Sequence, residues 1–396
     1  MITALTFIIV FGLIVFVHEL GHFTAAKLLK VKVHVFAFGF PPRIWSKKVG
    51  DTEYAINLIP FGGYVRLEGE NEELEDKKST SKKTDGSKSL LELKAPGLLL
   101  IYSAGVLMNV FAAFILVWLC FVIGFQPIDL GNYNQKIFPG VNNTSGIHST
   151  VAIKVDQVET NTPAEKVGIR AGDKIIKVDN KNVYFTEDVI DEIQSKVTKN
   201  GATVDLTINR DGSTLEKTLS TYKAKVKLVD NQTVETNRIG VVLETDGNLK
   251  TNPINAIGVA AKTTWNIAKY TIYGIVDFFV KIFTQFRLTQ NVVGPIGLVE
   301  VTNYFAQLGV MAVVQFAIIL SISVALFNIL PIPALDGGYV AFTLAELISK
   351  RKISLKTKNI IVMIGFLLII ALLVVVTFRD FITFDVWNFI LKLFGR

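Results

Sequence analysis

The sequence predicts a multi-span α-helical membrane protein with about four transmembrane (TM) helices, a membrane-associated β-loop or sheet, and an extracytoplasmic α+β domain. Two observations support this fold class. Half of the 396 residues are hydrophobic and the mean hydropathy is +0.44, which is too apolar for an ordinary soluble enzyme. Several long apolar runs are flanked by basic loops, and a long stretch between two of them has the hydropathy of a soluble domain.

The net charge of +7 does not indicate nucleic-acid binding, because the basic residues cluster beside apolar segments. Membrane orientation explains this placement better. Cys120 is the single cysteine and lies within an apolar run, so neither a disulfide framework nor a thiolate zinc site is possible. Any metal must therefore be held by histidine and carboxylate.

The first apolar run, residues 1–26, has no basic residue before Lys27, so we interpret it as a retained helix and not as a secretory signal peptide. The lysines that follow it place the N-terminus outside and the next loop in the cytoplasm. The predicted segments are TM1 at 1–26, a cytoplasmic or membrane-reentrant β region at 27–69, a flexible cytoplasmic linker at 70–95, TM2 at 96–125, a soluble domain at 145–242, an interfacial amphipathic helix at 253–290, TM3 at 308–338, TM4 at 360–377 and an interfacial tail at 378–396.

A metal-binding motif lies within the first run, as His18-Glu19-Leu20-Gly21-His22. Histidines four residues apart share one helix face, so both imidazoles can reach one metal ion, and Glu19 can hold and deprotonate a metal-bound water. Ionisable side chains inside a membrane span are costly and usually functional. The alternative is a pair of helix-packing histidines with a stray glutamate.

The third span ends in a stretch that two prolines and two glycines interrupt, residues 328–338. A broken helix at membrane depth is tolerated only where it lines a cavity or is buried in protein. Asp336 is the candidate third ligand of a two-histidine, one-carboxylate Zn2+ site, or else it caps the helix that follows. Asn328 is predicted either to hydrogen-bond substrate backbone or a developing oxyanion, or to satisfy carbonyls that the prolines free.

Two further features leave alternatives open. Short strands are predicted at 33–38, 54–59 and 64–67, and an edge of this sheet either pairs with an extended substrate or merely caps the membrane helix. In the second span, Gly105 and Asn109 are one turn apart. Close packing of a neighbouring helix is favoured there over the orientation of a metal ligand.

The soluble stretch contains Pro163-Ala164, Gly168-Ile169 and Gly172-Asp173-Lys174-Ile175 in a spacing that resembles the PDZ family. PDZ grooves bind peptide ends or extended segments by strand addition. Here the groove is expected either to bind a peptide in this way or to act as a size filter for substrates.

The two distant motifs, the PDZ-like insertion and Gly294-Pro295-Ile296-Gly297 together resemble the bacterial site-2 proteases, which are intramembrane zinc metalloproteases. The resemblance covers essentially the whole chain. It implies that His18, His22 and Asp336 bind Zn2+ and that Glu19 is the general base. It also implies a membrane-reentrant β-loop near residues 59–67, whose candidate substrate-binding residues are Gly62, Gly63 and Tyr64.

By the same resemblance, the protein lies in the cell membrane with its active site near the cytoplasmic side. Its partners would be the lipid bilayer, single-span membrane protein substrates such as anti-sigma factors or remnant signal peptides, and an upstream site-1-type protease that trims the same substrate. We find one PDZ domain, whereas some members carry two. A zinc or proton transporter and an inactive PDZ-bearing scaffold are the alternatives, but no internal repeat supports the first and Glu19 has no use in the second.

Overall fold

The computed structural model describes residues 2–70, 88–127, 148–149, 152–183, 186–195, 202–227, 233–285 and 293–383. The chain forms two compact units, residues 1–115 with 268–396 and residues 116–267. The helices are α1 Ile2–Leu28, α2 Ala95–Ile123, α3 Pro163–Lys166, α4 Thr186–Gln194, α5 Pro253–Gln285, α6 Pro295–Gln307, α7 Val310–Asn328, α8 Asp336–Ser349 and α9 Leu355–Thr383. A 3-10 helix covers Leu90–Glu92.

Four of the described helices are long and apolar enough to cross a membrane: Thr3–Leu28, Ala95–Ile123, Val310–Asn328 and Leu355–Ile382. The protein is thus a multi-pass membrane protein. Many of their apolar side chains are exposed, Leu5 and Leu13 of α1 among them, as expected where lipid surrounds the bundle.

The third span begins two residues after its predicted start and ends ten residues before its predicted end. A separate helix, α6, precedes it, and Gly309 in the left-handed region (φ 101°) separates α6 from α7. The N-terminus of α6 is held by Asp380 of α9, a buried carboxylate that accepts a hydrogen bond of 2.9 Å from the Gly297 N–H. At the other end, α7 stops at Asn328, and a loop leads to α8, which begins at Asp336.

Three other predicted segments lie partly outside the described residues. Helix α9 continues to Thr383, so the first residues of the predicted interfacial tail belong to this helix, and residues 384–396 lie outside the described residues. Most of the predicted linker, 71–87, and residues 286–290 of the predicted amphipathic helix also lie outside them. On α5, both polar and aromatic residues are exposed, for example Lys262 and Trp265.

The β region forms a sheet that is larger than the three short strands predicted. Strands β1 Val33–Val49 and β2 Thr52–Leu67 are antiparallel, and residues 35–38 of β1 pair with both 53–56 and 63–66 of β2. Because residues 43–49 also pair with 52–57, the two chain segments fold into four adjacent runs in the order 43–49, 52–57, 35–38 and 63–66. The outer runs are therefore 43–49 and 63–66.

This sheet lies along α1. A Cβ atom on Gly12 would lie 3.5 Å from the Pro60 carbonyl oxygen, and Lys27 donates a hydrogen bond of 2.8 Å to Thr52 at the opposite end. The fifteen residues between Gly12 and Lys27 span about 22 Å of helix. Contacts of Phe16 with Phe36 and Phe38, at centroid distances of 5.7 and 6.3 Å, join the helix to one face of the sheet.

The second unit contains an antiparallel sheet in the order β11, β4, β5, β7, β8, with β6 beside β5. Its strands are β3 His148–Ser149, β4 Ala152–Val158, β5 Lys174–Val178, β6 Lys181–Asn182, β7 Thr203–Arg210, β8 Ser213–Ser220, β9 Tyr222–Lys227, β10 Thr233–Arg238, β11 Val241–Asp246 and β12 Leu249–Lys250. Alternate side chains of β4 and β7 point into one apolar core, including Ile153, Val155 and Leu206.

A buried ion pair closes the loop before β5. The Asp173 side chain is 1% exposed and accepts hydrogen bonds of 2.6 and 2.7 Å from Arg210 and of 2.8 Å from the Arg170 N–H. Burial alone would raise the pKa of Asp173, but these hydrogen bonds and the guanidinium charge lower it below its ordinary value. The pair therefore stabilises this unit while Asp173 is ionised.

Candidate metal centre

The two histidines of the first motif face the same side of α1. His18 and His22 have their ring centroids 4.9 Å apart, and their Nε2 atoms are 3.3 Å apart. The four-residue spacing places both imidazoles on one helix face. His18 is 7% exposed, so this face is turned into the helical bundle.

Asp336 reaches the same point from the other end of the unit. Its Oδ2 atom lies 2.9 Å from His18 Nε2 and 3.2 Å from His22 Nε2. Asp336 is the first residue of α8, Leu335 occupies the N-cap position, and no side-chain cap hydrogen bond is made. Asp336 is therefore not the N-cap residue of α8, and its role as a metal ligand stays a prediction.

Close backbone contacts explain the two glycines after Asp336. A Cβ atom on Gly337 would overlap the carbonyl oxygens of Ile329 and Leu330, and one on Gly338 would lie 2.6 Å from the Ile332 oxygen. The same loop packs on α9, where a Cβ atom on Gly365 would lie 2.7 Å from Pro333 Cβ. These contacts fix the loop that carries Asp336.

Backbone and amide groups of α2 set the tautomers of both imidazoles. His22 Nδ1 lies 2.8 Å from the Ile101 carbonyl oxygen, which can only accept, so Nδ1 carries the proton and Nε2 presents a lone pair. His18 Nδ1 lies 3.4 Å from the side-chain amide of Asn109, which is fully buried. The nearer amide atom is Nδ2, which can only donate, while the buried Oδ1 has no partner among the described residues. Exchanging these two amide atoms gives Oδ1 a hydrogen bond from His18 Nδ1 and leaves His18 Nε2 free to bind a cation.

Three candidate ligand atoms thus converge on one point. The Nε2 atoms and the carboxylate Oδ2 are 2.9–3.3 Å apart, and the three residues form a group able to hold one metal ion. Ligand atoms at about 2.0–2.2 Å from a tetrahedral zinc ion are about 3.3–3.6 Å from one another. The observed separations are up to about 0.4 Å shorter than the lower end of this range, so the three side chains would hold a zinc ion after moving apart by a few tenths of an ångström.

Gly105 allows α2 to approach this group. A Cβ atom on Gly105 would overlap His22 Nε2 and would lie 2.7 Å from His18 Nε2, and Gly21 of α1 is in similarly close contact with the backbone of α2. The sequence analysis favoured packing for Gly105 and Asn109. The structure shows that the glycine does provide close approach, whereas Asn109 contacts a candidate ligand.

Glu19 and the outer strand of the sheet lie next to each other. A Cβ atom on Gly63 would lie 3.1 Å from Glu19 Cγ, so this strand reaches the side chain beside the two histidines. Gly62 adopts φ 105° and faces Phe40, and Tyr64 pairs with Ala37. Asn328 is the last residue of α7, and its predicted role remains a prediction.

The sequence analysis favoured packing for Asn109, whereas the structure places its amide beside a candidate ligand. The sequence did contain an indication of a functional role, because Asn109 is a polar side chain in the middle of an apolar span. The Ile101 carbonyl could not have been found from sequence, since any residue supplies the same group.

The chain was compared with known families and proteins. It matches Peptidase family M50 over residues 6–372. A protein of Clostridium perfringens named as a zinc metalloprotease is 28% identical over 375 residues, which cover 95% of this chain and 97% of that protein. RasP of Bacillus subtilis, named as the regulator of sigma-W protease, is 27% identical over 429 residues, which cover 96% of this chain and 98% of RasP.

Among solved structures, the PDZ domain of the SdrC-like protein from Listeria monocytogenes is 27% identical and covers 23% of this chain and 85% of that chain, with a TM-score of 0.19. This score is too low to support an argument about the fold. The membrane helices, the converging donors and the relatives define a zinc metalloprotease. The chain belongs to Peptidase family M50, the site-2 protease family, which sets aside the transporter and scaffold alternatives.

Proposed function

We propose that the protein cleaves peptide bonds within or near the transmembrane segments of single-span membrane proteins, as a protease of regulated intramembrane proteolysis. The observation that carries this proposal is the convergence of His18, His22 and Asp336 within 3.3 Å of one another, with Glu19 on the same helix as the two imidazoles. These three residues are the proposed ligands of the zinc ion.

Zinc, when bound, supplies Lewis-acid polarisation of a water molecule and of the scissile carbonyl. Glu19 removes a proton from that water and later delivers it to the departing amine. Because His22 donates from Nδ1 to the Ile101 carbonyl, and His18 is held by Asn109, both rings stay oriented during these proton transfers.

The outer strand at 63–66 is the proposed docking edge for substrate. A helical substrate hides its carbonyl groups in hydrogen bonds, so it must become extended before it can be attacked. Strand addition at this edge would hold it extended. Gly63 presents no side chain and lies against Glu19, so a peptide paired there passes beside the proposed base.

The sheet is proposed to enter the bilayer beside α1. It follows this apolar helix from Lys27 to Gly12, and its apolar residues at the Gly12 end, Phe40, Leu58 and Ile59, are exposed. With the basic loops in the cytoplasm, the centre lies toward the cytoplasmic side of the membrane.

The soluble unit is proposed to be an extracytoplasmic PDZ domain that admits substrates already shortened by another protease. The PDZ-like sequence and the small antiparallel sheet with two short helices support this assignment. The name of RasP supports anti-sigma factors as one substrate class, with remnant signal peptides as another. Reporters that differ only in the length of their extracytoplasmic part test the filter: cleavage should rise as that part is shortened.

The Glu19→Gln variant tests the catalytic assignment. We expect cleavage of a single-span reporter to be abolished while zinc content is unchanged, because the histidines and Asp336 remain. In parallel, Asp336→Ala should lose zinc and Asn328→Ala should retain it. Unchanged cleavage by Glu19→Gln would remove Glu19 as the base, and full zinc content in Asp336→Ala would remove the third ligand.

Disulfide cross-linking tests the docking edge. In a Cys120→Ala, Glu19→Gln background, Arg66→Cys on the proposed edge should cross-link to a single-cysteine substrate. Lys48→Cys lies on the other outer strand of the same sheet and serves as the matched control. Equal cross-linking at both edges, or cross-linking at Lys48→Cys alone, would contradict strand addition beside Glu19.

A further inference from the structure

An apolar cavity lies on the side of α1 away from the candidate metal centre. It measures about 690 Å3 and is open on one side, between α1 and one face of the sheet. Its lining is almost wholly apolar and consists of Ile9, Leu13, Phe16, Phe36, Phe38, Trp45, Tyr54, Ala55 and Ile56. A cavity of this size suits a small ligand or one segment of a long chain.

The face of the sheet that lines the cavity also carries a lysine. In the antiparallel pairing Trp45 lies opposite Ile56 and Lys47 lies opposite Tyr54. Directly opposed residues project to the same face, so Lys47 projects to the cavity face together with Trp45. Lys48, opposite Glu53, projects to the other face.

The cavity itself is apolar, and Lys47 lies beside its lining residue Tyr54 at one end. Lys47 lies near the β1–β2 turn, which is the end of the sheet that Lys27 of α1 holds through Thr52. Ile9, which lines the other end of the cavity, lies about 27 Å from Lys27 along α1, toward the N-terminus of the helix. The end of the cavity beside Lys47 thus coincides with the basic end of a membrane-spanning helix, and the other end lies deep along that helix.

The charge around the end beside Lys47 is strongly positive. Residues 27–53 contain six basic residues (Lys27, Lys30, Lys32, Arg43, Lys47 and Lys48) against two acidic ones (Asp51 and Glu53). Arg43 is paired with Glu53, and Lys32 is paired with Glu68 from outside this stretch, which leaves an excess of basic residues. Exposed Trp45 (50%) at the rim is a residue type that prefers the membrane–water interface. An anionic headgroup is the charge complement of this end.

We propose that this cavity binds one anionic phospholipid, with an acyl chain along Leu13, Phe38 and Ile56 and the phosphate at the ammonium group of Lys47. The apolar lining offers almost no hydrogen-bonding partner to a peptide backbone, which favours an acyl chain as the occupant. The neighbouring lipid of a bilayer supplies both parts of such a ligand at once.

Tryptophan fluorescence tests the proposal on the full chain. With Trp118, Trp265 and Trp387 replaced by phenylalanine, Trp45 reports quenching by brominated acyl chains. The protein is reconstituted in phosphatidylcholine vesicles that contain either brominated phosphatidylglycerol or brominated phosphatidylcholine. We expect stronger quenching by the anionic lipid, and Lys47→Gln should reduce that preference about fivefold, the effect of one lysine near a membrane surface.

Two matched controls decide whether the cavity is the site. Lys48→Gln removes the same charge from the opposite face and should leave the preference unchanged. Leu13→Phe narrows the cavity and should weaken quenching, whereas Leu5→Phe, on the same helix outside the cavity lining, should not. Native mass spectrometry of the unaltered chain should show one retained phosphatidylglycerol that Lys47→Gln loses, which keeps the test independent of the tryptophan replacements.

Equal quenching by both lipids would mean that Trp45 contacts only the lipids that surround any membrane protein, and it would overturn the proposal. Equal effects of Lys47→Gln and Lys48→Gln would mean attraction to the whole basic surface and would also overturn it. Displacement of the lipid by a single-span substrate helix, with no anionic preference, would assign the cavity to substrate instead.

Discussion

Substitution of Gly105 by alanine is the most direct test of the centre, because it adds one carbon atom where α2 meets both imidazoles. The added Cβ would lie 2.7 Å from His18 Nε2, which is 0.7 Å inside the 3.4 Å at which ordinary contact begins, and it would overlap His22 Nε2. Zinc–nitrogen bonds tolerate about 0.2 Å. Both rings, or α2 itself, must therefore move farther than the bonds allow.

We expect Gly105→Ala to bind zinc weakly and to lose about 100-fold or more in kcat/KM, since a misplacement of about 1 Å at a reacting centre has that effect. Zinc per protein is measured by elemental analysis after purification in detergent, and cleavage is measured with a single-span reporter. Gly97→Ala on the same helix is the matched control, because its Cβ would meet neighbours at 3.5 Å or more. Full zinc content and full activity in Gly105→Ala would refute the geometry described for this centre.

Three further substitutions have defined outcomes. Asn109→Leu removes the partner of a ligand imidazole and should lower zinc affinity about 10- to 100-fold in a chelator competition, with the fold retained. Asp173→Asn should lower the melting temperature of the second unit, residues 116–267, at pH 7. The stabilisation by Asp173 is fully present above the ordinary aspartate pKa of about 3.9 and is lost as pH falls through the lowered pKa of the folded state, so the difference from the unaltered protein should vanish in acid. Asp380→Ala leaves the buried Gly297 N–H without its acceptor, costs about 1–3 kcal/mol locally, and should speed hydrogen exchange in α6.

Each of these outcomes has a counterpart that would contradict it. Unchanged zinc affinity in Asn109→Leu would mean that this amide serves packing alone. A melting difference for Asp173→Asn that persists in acid would mean that its ionisation is not the source of stability. Asp380→Asn keeps an acceptor oxygen and should restore slow exchange in α6, so equal exchange in the alanine and asparagine variants would exclude the proposed cap.

The three candidate ligands could be predicted from the sequence, because two of them are close together in the chain and the third is an acidic residue at the end of an apolar span. His18 and His22 share a helix face by spacing alone, and Asp336 follows two prolines in a span where an ionised group is rarely found without function. The role of Asn109 was not decided by sequence, because its partner lies ninety-one residues away and only the crossing of α1 and α2 brings them together.

The pairing of the β sheet and the presence of α6 could not be predicted from sequence patterns. Residues 35–38 pair on both sides, and the register shifts on the way to residue 43 are set by contacts with α1 and between distant strands, which alternation of residue types does not encode. Helix α6 was not predicted from the sequence, because glycine and proline, as at Gly294 and Pro295, are residue types that commonly interrupt helices. In fact Pro295 is the first residue of a helix whose N-terminus Asp380 holds from α9.

The origin of the three donors has a consequence for biogenesis. Two of them belong to a single turn near the N-terminus and are in place as soon as α1 forms. The third is presented by a loop whose position depends on Gly337, Gly338 and the packing of Pro333 against Gly365 of α9. In a nascent chain the third candidate ligand is therefore fixed in place only after α9 has packed against this loop.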